Sequence, residues 1–375
     1  MISLAQLNAL APVEFATALQ GIFEHTPWVA QRSAAMRPFA ARLQLLDAMR
    51  SVVDQATAAD QLALIRAHPK LGVRTGTSAL TPASAVEQRR AGLAACTAAE
   101  AAQLQQLNAR YLERFGFPFI LAVRGHDPAS ILANLQQRLE NDGELERRTA
   151  LNQIGAIAAY RLADRVGSPP GAEVMAMLER LAGCGSRAGA ATALVREWML
   201  AAGLAVWPAA GVVSGGGYLI GRVVGGGSAL QTLLAGACCD ARSNTMRYLG
   251  RAAFVIAIEA AQQLRLAGAR TALGLVVLAR PADARAGGGG AAGDARQEWI
   301  EYGAIATDAA DAADAETMEI RAALRGAELP DSAAMLVRAA DATLGQRSPG
   351  QLTADAAGQA VQALEAMLER AQTAA

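Results

Sequence analysis

The sequence predicts two domains of different class, an all-α domain over residues 1–167 and an α/β domain over residues 172–375. Three observations carry this. Residues 1–167 place apolar side chains at helical spacing, with capping residues between them and no convincing strand. Glycine is sparse there, nine of the 36, and 27 fall in residues 168–375. After Ser168-Pro169-Pro170-Gly171, helical segments alternate with short β-like runs, the order expected of an α/β layer. A chain of 375 residues is long enough for two hydrophobic cores.

Each element follows from local signals. Pro12 opens a helix whose apolar face is Phe15, Leu19, Ile22 and Phe23, at i, i+4, i+7 and i+8. The run Asp60–Ala67, with Leu62 and Ile65, is helical and is stopped by Pro69. Thr81-Pro82 or Ser84 can start a helix, which puts Ser84, Glu87 and Gln88 within one turn and on neighbouring faces. Thr97 and Glu100 form a capping box ahead of Leu104, Leu107 and Tyr111, and Gly116 ends that helix. Asp127-Pro128 starts the next, with Ile131, Leu132, Leu135 and Leu139. A last long helix runs from about Glu144 to Val166 and stops at Gly167. In the second domain Gln231–Ala237, Ala272–Ala279 and Ala333–Arg338 read as strands. The stretch Ala284–Gly293 is a low-complexity linker. Its Gly288, Gly290 and Gly293 fit a G-x-G-x-x-G spacing, but no strand leads directly into them, which a dinucleotide loop requires.

Composition narrows the function. Hydrophobic residues make up 53% and aromatics 4%, so the cores are built from Ala, Leu, Val and Ile. A formal net charge of zero gives no field to gather nucleic acid or an anionic membrane. Cys96, Cys184, Cys238 and Cys239 show neither C-x-x-C spacing nor a disulfide framework, as expected in a reduced compartment. The first residues lack a signal-peptide pattern, and no run reaches the roughly 18 apolar residues of a membrane span. A soluble, cytoplasmic protein is expected.

Three positions in the first domain carry candidate chemistry. His68, one of three histidines with His25 and His126, sits at a helix C-terminus where Pro69 forces the chain to turn. That end of a helix favours an imidazolium and so suits a proton donor; a capping histidine without catalytic part fits the position equally. Ser84, Glu87 and Gln88 offer a hydroxyl, a carboxylate and a carboxamide, a set able to hold a ureido group, or else a capped surface helix. Arg161 follows Ile157 by four and Ile154 by seven, so its guanidinium points along an apolar stripe and needs an anion there. Glu87 would serve as an internal partner, and so would the carboxylate of a ligand.

These pieces lie within segments that resemble the 2-oxo-4-hydroxy-4-carboxy-5-ureidoimidazoline (OHCU) decarboxylases. The segments run in order: Phe23-Glu24-His25-Thr26-Pro27-Trp28, Arg37-Pro38-Phe39, His68-Pro69-Lys70-Leu71-Gly72, Ser84 through Leu93, Leu107-Asn108, Tyr111, Arg114 through Ile120, Arg138-Leu139-Glu140-Asn141, and Ile157 through Leu162. The resemblance implies an enzyme of urate breakdown, without cofactor, that forms (S)-allantoin and CO2. It implies His68 as proton donor, oriented by Glu87. The implied substrate pocket comprises Pro69, Ser84, Ala85, Val86, Glu87, Gln88, the backbone of Phe119, Ile120, Leu121, Ala122 and Val123, and Arg161. A homodimer is implied as well. Physically, loss of CO2 leaves an electron pair that the substrate's own imidazoline ring can accept, so no electron-sink cofactor is needed.

Residues from 172 onward resemble allantoate amidohydrolases, members of the dinuclear-zinc peptidase family. The echoes are Thr192–Gly203, Leu233-Leu234-Ala235-Gly236 leading to Asp240, Arg247 through Arg251, Phe254–Leu264, and Gln346–Ser348-Pro349. The metal positions depart from that family. Cys238-Cys239-Asp240 stands for His-x-Asp, Leu249 for the bridging Asp, Arg280 through Asp283 for the Glu pair, and Arg347 and Gln351 for the late His and Glu. One Asp and two adjacent cysteines do not rebuild a bridged zinc pair. The resemblance therefore implies a catalytically inactive layer, truncated and without its lid domain. A non-catalytic dimerisation module and a working second enzyme remain the alternatives.

Overall fold

The chain divides into two units, Met1–Gly167 and Ser168–Ala375. The computed structural model describes residues 1–71, 84, 87, 89, 93, 96–184, 190–210, 217–223, 232–238, 244–268, 274–280, 334–336 and 353–370.

In the first unit the helices begin where side chains satisfy the orphan N–H groups of a first turn. Ser3 accepts from the Gln6 N–H to start Leu4–Ala9. Pro12–Ala18 begins on its proline, with Glu14 returning to the Ala11 N–H at 3.1 Å. This helix is shorter than the sequence suggests: Leu19 is its C-cap, and Ile22 and Phe23 are buried from the turn beyond. Pro27–Ser33 and Arg42–Asp54 follow. Thr57 caps the Asp60 N–H, so the next helix starts early and runs Ala58–Arg66. Ala98–Phe115 has the Thr97–Glu100 capping box and ends on Gly116, whose φ of 71° is the left-handed turn glycine permits. Pro128–Arg138 is capped by Asp127, and Gly143–Arg165 by Asp142. Leu7, Phe15, Leu45, Leu64, Tyr111, Phe119, Ile131, Leu135, Ile154 and Ala158 are buried among these helices.

One correction concerns strands. Ile2–Ser3 (β1) and Val166–Gly167 (β2) pair in parallel, and the last helix stops at Arg165. Two residues are too few for alternation to register in a sequence, and here the partners come from opposite ends of the unit.

In the second unit Pro170–Gly183 is helical and begins within the boundary segment Ser168–Gly171. Ala190–Ala201, Asn244–Ala267 and Ala354–Arg370 are the other helices described. Five strands form one mixed sheet in the order β3-β4-β6-β5-β7: Ala205–Ala210, Gly217–Val223, Gly274–Arg280, Thr232–Cys238 and Ala334–Leu336. β5 runs parallel to β6 and β7, while β4 is antiparallel to β3 and β6. The three expected β-like runs overlap β5, β6 and β7. The hairpin-like pair β3 and β4 is not apparent in the sequence, because Pro208 and the flanking glycines disguise it. Cys239, Asp240, Ala284–Gly293, Arg347 and Gln351 lie outside the described residues.

Among the described residues, no helix is long and apolar enough to cross a membrane. No group of three or more His, Cys, Asp or Glu among them could hold a metal ion.

Candidate active site

His68 lies just past the helix Ala58–Arg66, with Ala67 as C-cap. Its ring is 6% exposed, and its Nδ1 lies 3.0 Å from the Leu64 carbonyl. A carbonyl can only accept, so Nδ1 carries the proton and the neutral ring presents the Nε2 lone pair. Nε2 is buried and has no hydrogen-bond partner among the described residues. Burial pushes the imidazole down to about 4; the Leu64 bond and the Glu24 charge act upward, Arg161 and His25 downward. The imidazolium expected from the helix end is therefore corrected. Desolvation outweighs the pull of the helix terminus, and His68 is neutral at pH 7.

Arg161 projects from the long helix Gly143–Arg165 and is buried. Its Nε donates to Glu87 Oε1 and its Nη2 to Glu87 Oε2, both at 3.0 Å, a two-point grip on one carboxylate. Nη2 also donates to Ser84 Oγ at 3.1 Å, and Nη1 to the Gly21 carbonyl at 2.9 Å and to Glu24 Oε2. Ser84 in turn donates to Glu24 Oε1 at 3.2 Å. Burial opposes the guanidinium charge, but the hydrogen bond and charge of Glu87, followed by Glu24, hold its pKa above the usual arginine value.

The segment Phe119–Val123 is buried throughout. Two side chains fix its backbone: Arg138 donates to the Ile120 carbonyl at 2.6 Å, and Gln153 accepts from the Ala122 N–H at 2.9 Å. Arg138 is itself held by Glu146, which also accepts from Tyr111 and, at 2.6 Å, from Asn141. The Arg138 guanidinium lies over the Phe119 ring, 4.6 Å from its centroid. Burial and the Glu146 hydrogen bond push the Tyr111 phenol upward, so it stays a donor.

The structure brings Ser84, Glu87 and Arg161 into one hydrogen-bonded cluster, and the charge of Arg161 reaches His68. Pro69 follows His68 and is half-buried. Ala85, Val86 and Gln88 lie outside the described residues. The carboxylate expected to orient His68 was Glu87, but Glu87 grips Arg161, and the imidazole is fixed by the Leu64 carbonyl. Sequence reasoning missed Glu24, which is 1% exposed and touches both Arg161 and Ser84. Its signal is an acid set between Phe23 and Thr26, both buried, in the segment Phe23–Trp28.

A neutral buried imidazole, within reach of the charges of an ion-paired carboxylate and guanidinium, is an arrangement suited to moving protons on a small molecule. The profile of the OHCU decarboxylase family matches residues 8–163. The 2-oxo-4-hydroxy-4-carboxy-5-ureidoimidazoline decarboxylase of Haloferax volcanii is 41% identical over 167 residues, 44% of this chain and 98% of that protein. The uric acid degradation bifunctional protein PucL of Bacillus subtilis is 40% identical over 164 residues, 44% of this chain but only 33% of that protein. Among solved structures, an (S)-allantoin synthase aligns over 45% of this chain and 55% of its own, at 30% identity and a TM-score of 0.37. The chain belongs to the OHCU decarboxylase family.

Proposed function

We propose that residues 1–167 convert 2-oxo-4-hydroxy-4-carboxy-5-ureidoimidazoline to (S)-allantoin and CO2, with His68 as the proton-transferring group. The observation that carries this is the buried Nε2 of a neutral His68, without a hydrogen-bond partner among the described residues and within reach of the charges of Glu24 and Arg161. As CO2 leaves, its bonding pair forms a C4=C5 double bond and the C5=N pair moves onto the ring nitrogen. Allantoin then requires the C4 hydroxyl to lose a proton, C5 to gain one, and the ring nitrogen to take one from solvent. His68 Nε2 accepts the hydroxyl proton and returns it to C5, and delivery on one face gives one enantiomer. Glu87 keeps unused acceptor sites on both oxygens and receives the ureido N–H groups. Pro69, Ser84, Ala85, Val86, Gln88 and the Phe119–Val123 backbone complete the pocket.

The test forms the unstable substrate in situ from urate and follows (S)-allantoin by circular dichroism. The full chain accelerates its appearance and yields one enantiomer; a racemic product at the spontaneous rate removes the reading. A homodimer accompanies this reading, and equilibrium sedimentation at twice the chain mass of 38.7 kDa checks it.

For residues 172–375 we infer a truncated, lid-less α/β relative of the allantoate amidohydrolases that has lost its zinc ligands. The support is the ordered set of segments from Thr192 to Pro349 and the replacement of the metal positions by Cys238, Leu249, Arg280, Arg347 and Gln351. No ammonia is released from allantoate in the presence of Zn2+ or Mn2+; clear turnover reverses this inference.

A further inference from the structure

A guanidinium has five N–H donors, and every one of Arg161's has an acceptor within the protein. Nε and one Nη2 proton go to Glu87, the other Nη2 proton to Ser84, and the two on Nη1 to Gly21 and Glu24. The ring closes on itself, because Ser84 passes its one proton to Glu24. We propose, resting on the decarboxylase reading of residues 1–167, that Arg161 is a positioning residue that leaves the reacting carboxylate unpaired, and that Glu24 is the residue that holds it to that role.

The consequence follows from what the carboxylate becomes. It enters charged and leaves as neutral CO2, so a guanidinium bound to it would stabilise the substrate more than the transition state. Glu24 prevents this by occupying Nη1 from a site that is 1% exposed, where its own charge has no solvent to turn to. Two carboxylates then face one guanidinium, and the substrate's carboxylate meets a cation already neutralised. Glu87 stays aimed by two bonds, free to accept from the ureido group. Beyond burial and the Leu64 carbonyl, the charges acting on His68 are those of Glu24, Arg161 and His25 among the described residues, and that of Glu24 favours proton uptake at Nε2.

Two ligands separate this from direct pairing: (S)-allantoin, which lacks a carboxylate, and allantoate, which carries one with two ureido groups. On the full-length chain, calorimetry gives allantoate no advantage over (S)-allantoin. In Glu24→Gln the freed guanidinium tightens allantoate relative to (S)-allantoin by about tenfold, while kcat falls and KM does not rise. Glu24→Asp, which keeps the charge, restores the wild-type ratio. Arg161→Lys weakens both ligands alike. The His68 imidazole, titrated by NMR, moves to lower pKa in Glu24→Gln whether or not turnover is measured.

Allantoate binding to the wild type more than about tenfold tighter than (S)-allantoin overturns the proposal, and needs no variant to fold. So does an Arg161→Lys chain that loses allantoate selectively, or a Glu24→Gln chain with unchanged ligand ratio, kcat and His68 titration. A wild type that forms no (S)-allantoin above the spontaneous rate defeats the decarboxylase reading instead, and the ligand ratio and the titration still decide the role of Arg161.

Discussion

Arg161 grips Glu87 through two parallel contacts of 3.0 Å, Nε to one carboxylate oxygen and Nη2 to the other. This geometry ties the long helix Gly143–Arg165 to Glu87, more than 50 residues earlier in the chain. Removing the guanidinium takes an ion-pair partner from Glu24, which is 1% exposed. Arg161→Met destabilises the unit by about 3–5 kcal/mol, the cost of breaking a buried pair from one side. Urea denaturation followed by far-ultraviolet circular dichroism measures it.

His68→Ala keeps the fold, because the ring's hydrogen bond among the described residues is to a carbonyl near the end of its own helix. Loss of the proton carrier lowers the catalysed rate by about 100-fold or more, the usual worth of a general acid–base group. The appearance of (S)-allantoin in the circular dichroism assay reads it directly.

The low pKa of His68 sets two pH dependences. For catalysis, the free enzyme's imidazole is an unprotonated base above about 4, so kcat/KM is flat from neutrality down and falls as pH drops through that value. For stability, the folded-state pKa is depressed below the unfolded value of 6.5, so the unfolded chain takes up a proton first. Stability is thus lost as pH falls from about 6.5 to about 4, with no further loss from this residue below that. His68→Asn flattens that part of the melting-temperature profile.

Tyr111→Phe removes a donor to the buried Glu146 without changing shape. It costs about 1.5–3 kcal/mol, the range for a hydrogen bond to a charged group. Since Glu146 fixes Arg138, and Arg138 the Ile120 carbonyl, KM rises more than kcat falls. Steady-state kinetics beside a thermal melt separate the two effects.

The helical unit was legible because its signals are local. Thr97 with Glu100, Gly116, and Asp127 with Pro128 each mark a terminus within four residues, and the structure places helix ends there. Arg161 was legible as a buried cation in need of an anion, since its spacing from Ile154 and Ile157 set its direction. Glu24 was not, because its role depends on Ser84 and Arg161, residues 60 and 137 positions away that only the fold brings together. The tautomer of His68 was hidden for a different reason: position at a helix end is visible in the sequence, whereas the depth of burial that overrides it is not. Strands β3 and β4 are not legible because proline and glycine interrupt the kind of apolar run that marks β5 and β6.

The short ladder of Ile2 with Val166 and Ser3 with Gly167 sets the first and last elements of the helical unit side by side. A module threaded in this way can be appended to other polypeptides, or have them appended to it, without rerouting any helix. Gene fusion asks nothing of such a fold beyond a linker.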